Sequence, residues 1–335
     1  MKNRLIMIFV VCLMVSCNSG TNISEKEKEN KLLEVKGLAD KIGNDFQRIG
    51  SKVNDLAQVV KTLYENQDRY KCRNPEIYSV SDKGVLFKKI NDGNSAVFVS
   101  GIIPVNDKIR KIVCFTEPLD KILKSLVEEN PEIVQAYYND QHSYNRIYPF
   151  FDVLVQYEPK MNIPEFNFYY LADEKHNPEK KEIWVKEPYV DPAGRGWMVS
   201  AIAPVYFGGQ MVGVPGLDIT INTITDRYLT DKNEDIIIID NTGVIVAADE
   251  KIISLLNLPP LKAHKYLETI KQDTYKKHEY NMMKNKDKSL RAAFNSILNQ
   301  KTYAQVIDVE GLPLAVFAAE IEILDWYVVK IQKLE

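Results

Sequence analysis

The amino-acid sequence predicts an α+β protein in which a long N-terminal helix precedes two modules built on antiparallel sheets. An apolar stripe at helical spacing runs through residues 31–70, and short β-rich segments separated by Gly, Asn and Asp then occur in two groups. Strands in runs with helices at their side are typical of α+β folds. A length of 335 residues suggests about two domains.

Residues 1–16 predict an export signal. Lys2 and Arg4 precede an apolar run over residues 5–15, which is shorter than the roughly 20 residues that span a bilayer. Residues 13–17 resemble the lipobox of bacterial lipoproteins, which implies that Cys17 is lipidated and anchors the mature protein to a membrane. An ordinary cleaved signal is the alternative. Residues 17–30 are then a flexible tether, and the protein is expected in the periplasm or at the cell surface.

Charge and cysteine content narrow the class of protein. Removal of residues 1–16 takes away two of the 43 basic side chains, so that 41 remain beside 46 acidic ones. Without a basic excess, nucleic acid is not an expected partner. Cys72 and Cys114 could form a disulfide in an oxidising compartment, although sequence does not give their separation. No metal-ligand spacing or phosphate loop occurs, so no metal and no cofactor are predicted.

Residues 31–70 predict a single amphipathic helix about 60 Å long, at roughly 1.5 Å per residue. Its apolar stripe is expected to pack mainly on the sheets of the same chain, and part of it could instead form the seam of a homodimer. The stripe consists of Leu32, Val35, Ala39, Ile42, Phe46, Ile49, Val53, Leu56, Val60 and Leu63.

Residues 71–230 form the first predicted module and residues 231–335 the second. In the first module, strands are predicted over 77–92, 94–104, 109–116, 133–140, 181–191, 196–207 and 210–221, and helices over 118–130 and 223–229. In the second, a hairpin over 235–249 and a charged, helical segment over 262–300 precede a meander of strands at 302–309, 313–321 and 326–332.

One block of the first module carries a family resemblance. It comprises Trp184, Pro188, Tyr189 and Asp191, then Ala203-Pro204-Val205, then Gly213, Val214, Gly216, Asp218 and Ile219. The block resembles the distal module of double Cache (dCache) sensor domains, the extracytoplasmic ligand-binding regions of bacterial chemoreceptors and sensor kinases. The resemblance implies a long helix, a membrane-distal PAS-like module that binds the ligand, and a smaller membrane-proximal PAS-like module, in the order seen here.

In that family a Tyr-x-Asp pair and a later aspartate hold a ligand ammonium group, and the resemblance places these roles on Tyr189, Asp191 and Asp218. A strand period of two puts Tyr189 and Asp191 on one face of their strand, and Gly216 and Asp218 on one face of theirs. A buried acid needs a partner, which can be a ligand cation or an internal Arg or Lys. A structural cap at the strand end is the alternative for Asp218.

The family's carboxylate-binding motif is altered. Residues 164–172 fit its frame with Asn167 at the arginine position, Tyr169 at the tryptophan position and Tyr170 retained. Because Asn167 has no guanidinium to hold a carboxylate in two hydrogen bonds, the predicted ligand is an amine, a quaternary ammonium compound or an amino-acid-like compound held partly by tyrosine faces. Arg146 is the predicted substitute clamp for a carboxylate. The tyrosines fit a core role equally well.

These observations predict an extracytoplasmic sensor lipoprotein that binds a small molecule and acts in signal transduction such as chemotaxis. The chain ends at Glu335, shortly after the last predicted strand and without a second apolar span, so the signal is expected to pass through a membrane receptor, kinase or transporter. The alternative is a solute-capturing lipoprotein that serves a transporter. Asp191 and Asp218 could also act as an acid and base, but no nucleophile accompanies them, and no enzymatic activity is predicted.

Overall fold

The computed structural model describes residues 23–229, 235–259 and 277–334. The predicted export signal, Cys17 and part of the helical segment 262–300 lie outside these ranges. No helix within the described ranges is long and apolar enough to cross a membrane. The helices are α1 (Glu25–Glu65), α2 (Asp107–Phe115), α3 (Leu119–Glu128), α4 (Val153–Gln156), α5 (Asn167–Tyr170), α6 (Ile221–Tyr228), α7 (Glu250–Leu255) and α8 (Lys288–Leu298).

The predicted long helix is confirmed in α1, which has 41 residues. It begins where the Ser24 side chain accepts a hydrogen bond from the Glu27 amide, a favourable N-cap that satisfies one of the free amides of the first turn. The apolar stripe from Val35 to Leu63 is buried. It packs against both sheets of the same chain, as expected for most of its length.

The strands form two antiparallel sheets, in agreement with the predicted fold class. Sheet A has the order β1-β2-β3-β5-β4-β9-β7-β6, with β8 paired to β9, and sheet B has the order β11-β10-β14-β13-β12. The strands of sheet A are β1 (Tyr78–Val80), β2 (Leu86–Lys88), β3 (Ala96–Val99), β4 (Gln135–Asp140), β5 (Tyr144–Tyr148), β6 (Ile183–Val190), β7 (Trp197–Ile202), β8 (Val205–Phe207) and β9 (Gln210–Thr220). Those of sheet B are β10 (Ile236–Ile239), β11 (Ile245–Ala248), β12 (Thr302–Val309), β13 (Leu312–Ile321) and β14 (Trp326–Lys333).

One predicted strand was wrong. Residues 109–116 fall in α2 and its C-cap, where Ile109, Ile112 and Val113 are buried on one side of the helix. Asn106 caps this helix by accepting a hydrogen bond from the Ile109 amide at 3.1 Å. The β-branched residues favour a strand locally, but spacings of three and four and a side-chain cap favour the helix, and burial of that side decides the outcome.

A continuous apolar core joins α1 to both sheets. Phe46 lies at its middle, with its ring 4.6 Å from that of Trp184 in β6 and 6.4 Å from that of Trp326 in β14. At the rim, Lys186 forms a salt bridge of 2.6 Å with Asp325. Sheets A and B are therefore held together mainly by apolar contacts through α1.

Each face of sheet A has its own apolar layer. On β4, Ala136 and Tyr138 pack in the layer shared with α1, whereas Tyr137 packs in the opposite layer with Val214 and Phe168. This alternation follows from the two-residue period of a strand. The second layer is covered by the segment 150–172, and the candidate site lies between that segment and the sheet.

Cys72 and Cys114 are joined in a disulfide, with Cα atoms 4.5 Å apart. The bond links the coil that follows α1 to the last turn of α2. Nearby, Glu117 accepts hydrogen bonds from the Arg73 amide at 3.0 Å and the Tyr78 hydroxyl at 3.1 Å. These contacts tie the end of α1, α2 and the first strand to one another.

Candidate ligand-binding pocket

Asp218 is the most buried acid of the site. It lies on β9 between Gln135 of β4 and Ser200 of β7, its direct partners across the sheet. The Ser200 hydroxyl donates to Oδ1 at 2.5 Å and the Gln135 side-chain amide donates to Oδ2 at 2.6 Å. Only 1 % of the residue is exposed. Its carboxylate therefore sits within the sheet, held by side chains, and does not cap the end of the strand.

Asp191 follows β6 and faces the same side chains. Its Oδ1 accepts from the Ala193 amide at 2.9 Å and its Oδ2 from the Arg195 amide at 3.0 Å, so the carboxylate shapes the turn over residues 191–196. Gln135 Nε2 also reaches Asp191 Oδ1 at 3.3 Å. One amide group thus bridges the two acids, and Asp191 has a structural role in addition to any binding role.

The two carboxyl groups cannot easily both be charged. Burial, and after it the charge of Asp191, raise the pKa of Asp218 to about 8. Burial also raises the pKa of Asp191 above its usual range, although the amides of Ala193 and Arg195 act in the opposite direction. A cation placed between the carboxyl groups of Asp191 and Asp218 would favour the ionised form of both.

Two tyrosines complete this end of the pocket. The Tyr189 hydroxyl lies 2.6 Å from Ser200 Oγ, which in turn donates to Asp218. The Tyr137 hydroxyl is buried and finds no partner of acceptable hydrogen-bond geometry among the described residues. Tyr137 lies over Gly216, where an added Cβ would come within 2.2 Å of the tyrosine Cζ. The glycine of the Gly-x-Asp motif is therefore required for the position of this ring.

The opposite end of the pocket is lined by amides and by the covering segment. Asn145 donates to Asn139 at 2.8 Å, and the Tyr157 hydroxyl donates to Asn145 at 3.4 Å. The free space is only about 20 Å³, which is enough for one water molecule. The lining comprises Gln135, Tyr137, Asn139, Asn145, Ile147, Tyr157, Met161, Ile163, Phe168, Tyr189, Asp191, Pro192 and Asp218.

The structure brings Tyr189, Asp191 and Asp218 together but does not place the predicted motif over residues 164–172 in the pocket. Tyr169 is buried away from the lining, and burial and the charge of Asp140 raise its pKa well above the usual range. Tyr170 is 38 % exposed and its ring lies 5.3 Å from that of His176. Asn167 accepts a hydrogen bond from the Phe168 amide at 2.8 Å and does not line the site.

Phe168 takes the place expected for the tyrosines. Its ring centroid is 5.5 Å from that of Tyr189 and 6.1 Å from that of Tyr137. The helix α5 is a single turn, so adjacent residues point in different directions, and the ring that faces the sheet is one position before the one predicted.

Arg146 was also a wrong prediction for the pocket. It is buried on the face of sheet A that packs against α1 and α2, whereas its neighbour Asn145 faces the pocket. Its guanidinium donates to Asp120 at 2.6 Å, to the Tyr144 hydroxyl at 2.8 Å and to the Val113 carbonyl at 2.9 Å. Alternation along β5 therefore excludes a role in the site.

Most of the residues that line the pocket were missed from the sequence. Gln135, Tyr137 and Asn139 alternate along β4 and all line the pocket. Polar and aromatic residues at every second position of an otherwise buried strand were the available signal. Arg195, which lies in the same turn as Asp191 and donates to Gln135 Oε1 at 2.6 Å, was also not predicted to lie near the site.

No protein-family model matches the sequence, and no curated protein matches it significantly. Solved structures do match. The ligand-binding domain of the Pseudomonas aeruginosa PAO1 amino acid chemoreceptor PctB, in complex with L-Arg, is 14 % identical with a TM-score of 0.52, over 92 % of this chain and 96 % of that chain. The ligand-binding domain of the Pseudomonas fluorescens chemoreceptor CtaA, in complex with L-isoleucine, is 14 % identical with a TM-score of 0.51, over 91 % of this chain and 92 % of that chain.

The extracellular domain of mmHK1S-Z2, described as a histidine kinase, gives a TM-score of 0.51 at 13 % identity, over 91 % of this chain and 96 % of that chain. The chain has a double Cache fold. These structural neighbours are extracellular sensor domains of chemoreceptors and histidine kinases. The double Cache fold confirms the predicted resemblance and accounts for the long helix and the two sheets, and the low identity leaves the ligand to be argued from the pocket.

Proposed function

We propose that this double Cache protein is an extracytoplasmic sensor that binds a small organic molecule through an ammonium group, held by Asp191, Asp218 and Tyr189. Signalling then passes to a partner protein in the membrane. The sensor acts by binding and has no catalytic role. The structural neighbours, which are ligand-binding domains of chemoreceptors and the extracellular domain of a histidine kinase, support the sensor class.

The single observation that carries this proposal is the pair of buried carboxyl groups that no described residue neutralises in an ion pair. Neither Asp191 nor Asp218 forms an ion pair with any described residue, and Gln135 bridges them through a neutral amide. Buried acids without a counter-ion are costly, and a ligand ammonium would supply the missing charge. The neighbouring hydroxyls of Tyr189 and Tyr137 offer oxygen acceptors to the same group.

Calorimetric titration of a panel of amines, quaternary ammonium compounds and amino acids tests the proposal. We expect a ligand whose affinity falls by about 1.5–3 kcal/mol in Asp218→Asn, the range for hydrogen bonds to charged groups. Asp68→Asn is the matched control, because it removes one negative charge from a side chain that is 88 % exposed. Equal affinity of the wild type and Asp218→Asn for every ligand found would contradict the assigned site.

Proton release gives an independent measurement. Because the pKa of Asp218 is raised to about 8, most of its carboxyl groups carry a proton at pH 7 when the site is empty. An incoming ammonium should displace that proton. Titrations in buffers of different ionisation enthalpy should therefore report release of roughly one proton in the wild type. The Asp218→Asn variant should release much less.

Anchoring through Cys17 forms part of the same proposal and is tested separately. We expect radiolabelled palmitate to be incorporated by the wild-type protein in a bacterial host and not by Cys17→Ser. Incorporation into both proteins would place the lipid elsewhere. Association of α1 with a second copy remains a prediction, for which sedimentation of the soluble form with and without ligand is the measurement.

A further inference from the structure

The strand β12 forms one edge of sheet B, and its outer side is open among the described residues. It pairs with β13 alone, in an unbroken register over its eight residues. The Glu320 amide donates to the Lys301 carbonyl at 3.0 Å, so every second residue from Lys301 onward directs its backbone groups to β13. The amides and carbonyls that point away from β13 are those of Thr302, Ala304, Val306 and Asp308.

This strand lacks the features that usually keep an edge from pairing, which are short length, a bulge, a proline or charged side chains. The strands β1, β8 and β11 have only three or four residues. The edge strand β6 carries Lys186 and Pro188, and its register is interrupted there. In β12 there is no proline and no bulge, and Asp308 is the single charged residue. Among the described edges, β12 is therefore the one best suited to accept a further strand.

The described residues also leave space beside the beginning of β12. A groove of about 690 Å³ lies between α1 and the end of sheet B that contains Thr302. Lys36 lines this groove from α1 and is exposed. No described carboxylate forms a salt bridge with Lys36. The groove therefore offers room for the side chains of a strand added at this edge, and its cation favours an acidic one.

We propose that the open edge of β12 binds β12 of a second copy of this chain in the antiparallel direction, which joins sheet B of two molecules into one continuous sheet. Only a register centred on Gln305 pairs all four outward-facing residues within the strand. The opposite pairs are then Thr302 with Asp308 and Ala304 with Val306. Such an interface is symmetric, as in most homodimers. This inference goes beyond the proposed function, because it concerns sheet B and requires no ligand.

The side chains that meet in this register are compatible. Asp308 of the second copy lies opposite Thr302, beside the groove that contains Lys36, so its carboxylate meets a hydroxyl and a cation. On the opposite face of the strand, Tyr303 lies across from Ile307, and aromatic and β-branched residues favour each other in such pairs. No like charges oppose each other. These self-complementary pairs favour a second copy of the chain as the occupant of the edge.

Cysteine cross-linking in cells that express the full chain tests the register. Gln305 is exposed and lies opposite Gln305 of the second copy in a non-hydrogen-bonded pair, with Cα atoms about 4.5 Å apart. This separation permits a disulfide, so Gln305→Cys should give a cross-linked dimer on oxidation. Thr302→Cys is the matched control, because the two copies of residue 302 would be roughly 20 Å apart. Cross-linking of Thr302→Cys should appear only when Asp308→Cys is added.

Sedimentation equilibrium of the purified full chain measures the strength of association. Ala304→Pro removes an outward-facing amide in each copy and leaves the ladder to β13 intact, so the dissociation constant of the dimer should rise about 10- to 100-fold. Gln305→Lys and Gln305→Glu should each raise it about two- to fivefold by placing like charges opposite each other. An equimolar mixture of these two variants should recover the association of the wild type.

The other outcomes distinguish a second copy from other partners. Equal cross-linking of Gln305→Cys and Thr302→Cys, or no cross-linking of either beyond that of the unsubstituted chain, would overturn the proposal. Cross-linking of Gln305→Cys to a different protein would overturn it and assign the edge of β12 to that protein. A dimer that neither Ala304→Pro nor the charged variants weaken would place the interface elsewhere. Circular dichroism checks that each variant folds, and the mixture of charged variants decides the matter if Ala304→Pro does not.

Discussion

At the scale of single residues, Asp218 combines a buried position with an acidic group and therefore makes stability depend on pH. Its pKa in the folded protein is raised to about 8 from a usual value near 3.8. Between these values the folded state binds more protons than the unfolded state, so the free energy of unfolding must fall as pH rises through this window.

We predict that the unliganded protein loses stability between pH 5 and pH 8 and that Asp218→Asn reduces this loss. Chemical denaturation at several pH values measures the slope directly. Asp68→Asn should keep the wild-type slope, because its carboxylate is exposed. A ligand carrying an ammonium group should flatten the wild-type slope by stabilising the ionised carboxylate. Parallel slopes in the wild type and Asp218→Asn would assign the pH dependence to other groups.

The sequence could predict the residues of the site where strand alternation determines their direction. The family resemblance indicated Tyr189, Asp191 and Asp218, strand alternation gave their directions, and the structure brings the three together. Alternation also puts Arg146 and its neighbour Asn145 on opposite faces of sheet A. Because β5 was not predicted as a strand, the direction of the Arg146 side chain could not be predicted. The tyrosines of α5 were misplaced because a sequence motif does not determine which side chain of a single helical turn faces the sheet. Arg195 was missed because a turn between two glycines has no period.

At the scale of secondary-structure elements, α1 contains glycines that its helical conformation does not require. Gly37 is the clearest case, since a Cβ at this position would meet no atom within 4 Å. We predict that Gly37→Ala stabilises the protein by about 0.5–1 kcal/mol, because alanine loses less backbone entropy in a helix. Urea denaturation measures the change.

Gly216→Ala is the matched comparison for that substitution. Its Cβ would overlap the Tyr137 ring, and we expect a loss of about 1–3 kcal/mol, typical of overpacked cores. The same addition of a methyl group should therefore have opposite effects in the two elements. Destabilisation by Gly37→Ala would mean that α1 makes contacts at this position that the isolated chain does not contain.

The disulfide between Cys72 and Cys114 closes a loop with a sequence separation of 42 residues. We predict that the double variant Cys72→Ser/Cys114→Ser loses about 2–4 kcal/mol of stability through the larger entropy of its unfolded chain. Reduction of the wild-type protein should cause a similar loss and should leave the double variant unchanged. An effect of reductant on the double variant would point to a different thiol.

The strands of sheet B were predicted well because they are apolar runs between clear turns. The helix α2 was predicted as a strand because Ile109, Ile112 and Val113 have high strand propensity. The prediction did not include Asn106 as an N-cap, which favours the helix. The local sequence permits both a helix and a strand here, and burial in the folded protein determines that a helix forms.

At the scale of the whole molecule, one aromatic residue joins the two sheets. Phe46 contacts Trp184 of sheet A and Trp326 of sheet B. We predict that Phe46→Ala destabilises the protein by about 3–5 kcal/mol, the usual loss for a buried phenylalanine, and that both modules unfold at a lower denaturant concentration. Circular dichroism and tryptophan fluorescence together report the transitions.

Lys186→Met is the control for this prediction. It breaks the salt bridge with Asp325 at the rim between the modules, where both side chains are at least 40 % exposed. Exposed pairs contribute about 0–1 kcal/mol, so the effect should be small. A shift confined to one of two separate transitions in Phe46→Ala would show that the modules fold independently.

Tyr137 and Tyr138 are consecutive residues that lie on opposite sides of sheet A. The first ring borders the pocket, and the second has its hydroxyl 2.9 Å from that of Tyr64, near the C-terminal end of α1. Two adjacent residues therefore connect the pocket with the C-terminal end of α1, a helix about 60 Å long. We expect a molecule that displaces the Tyr137 ring to shift Tyr138 and, through its hydroxyl, the C-terminal end of α1. Because sheet B is packed along the same helix, such a shift would reach sheet B without any contact between that sheet and the ligand.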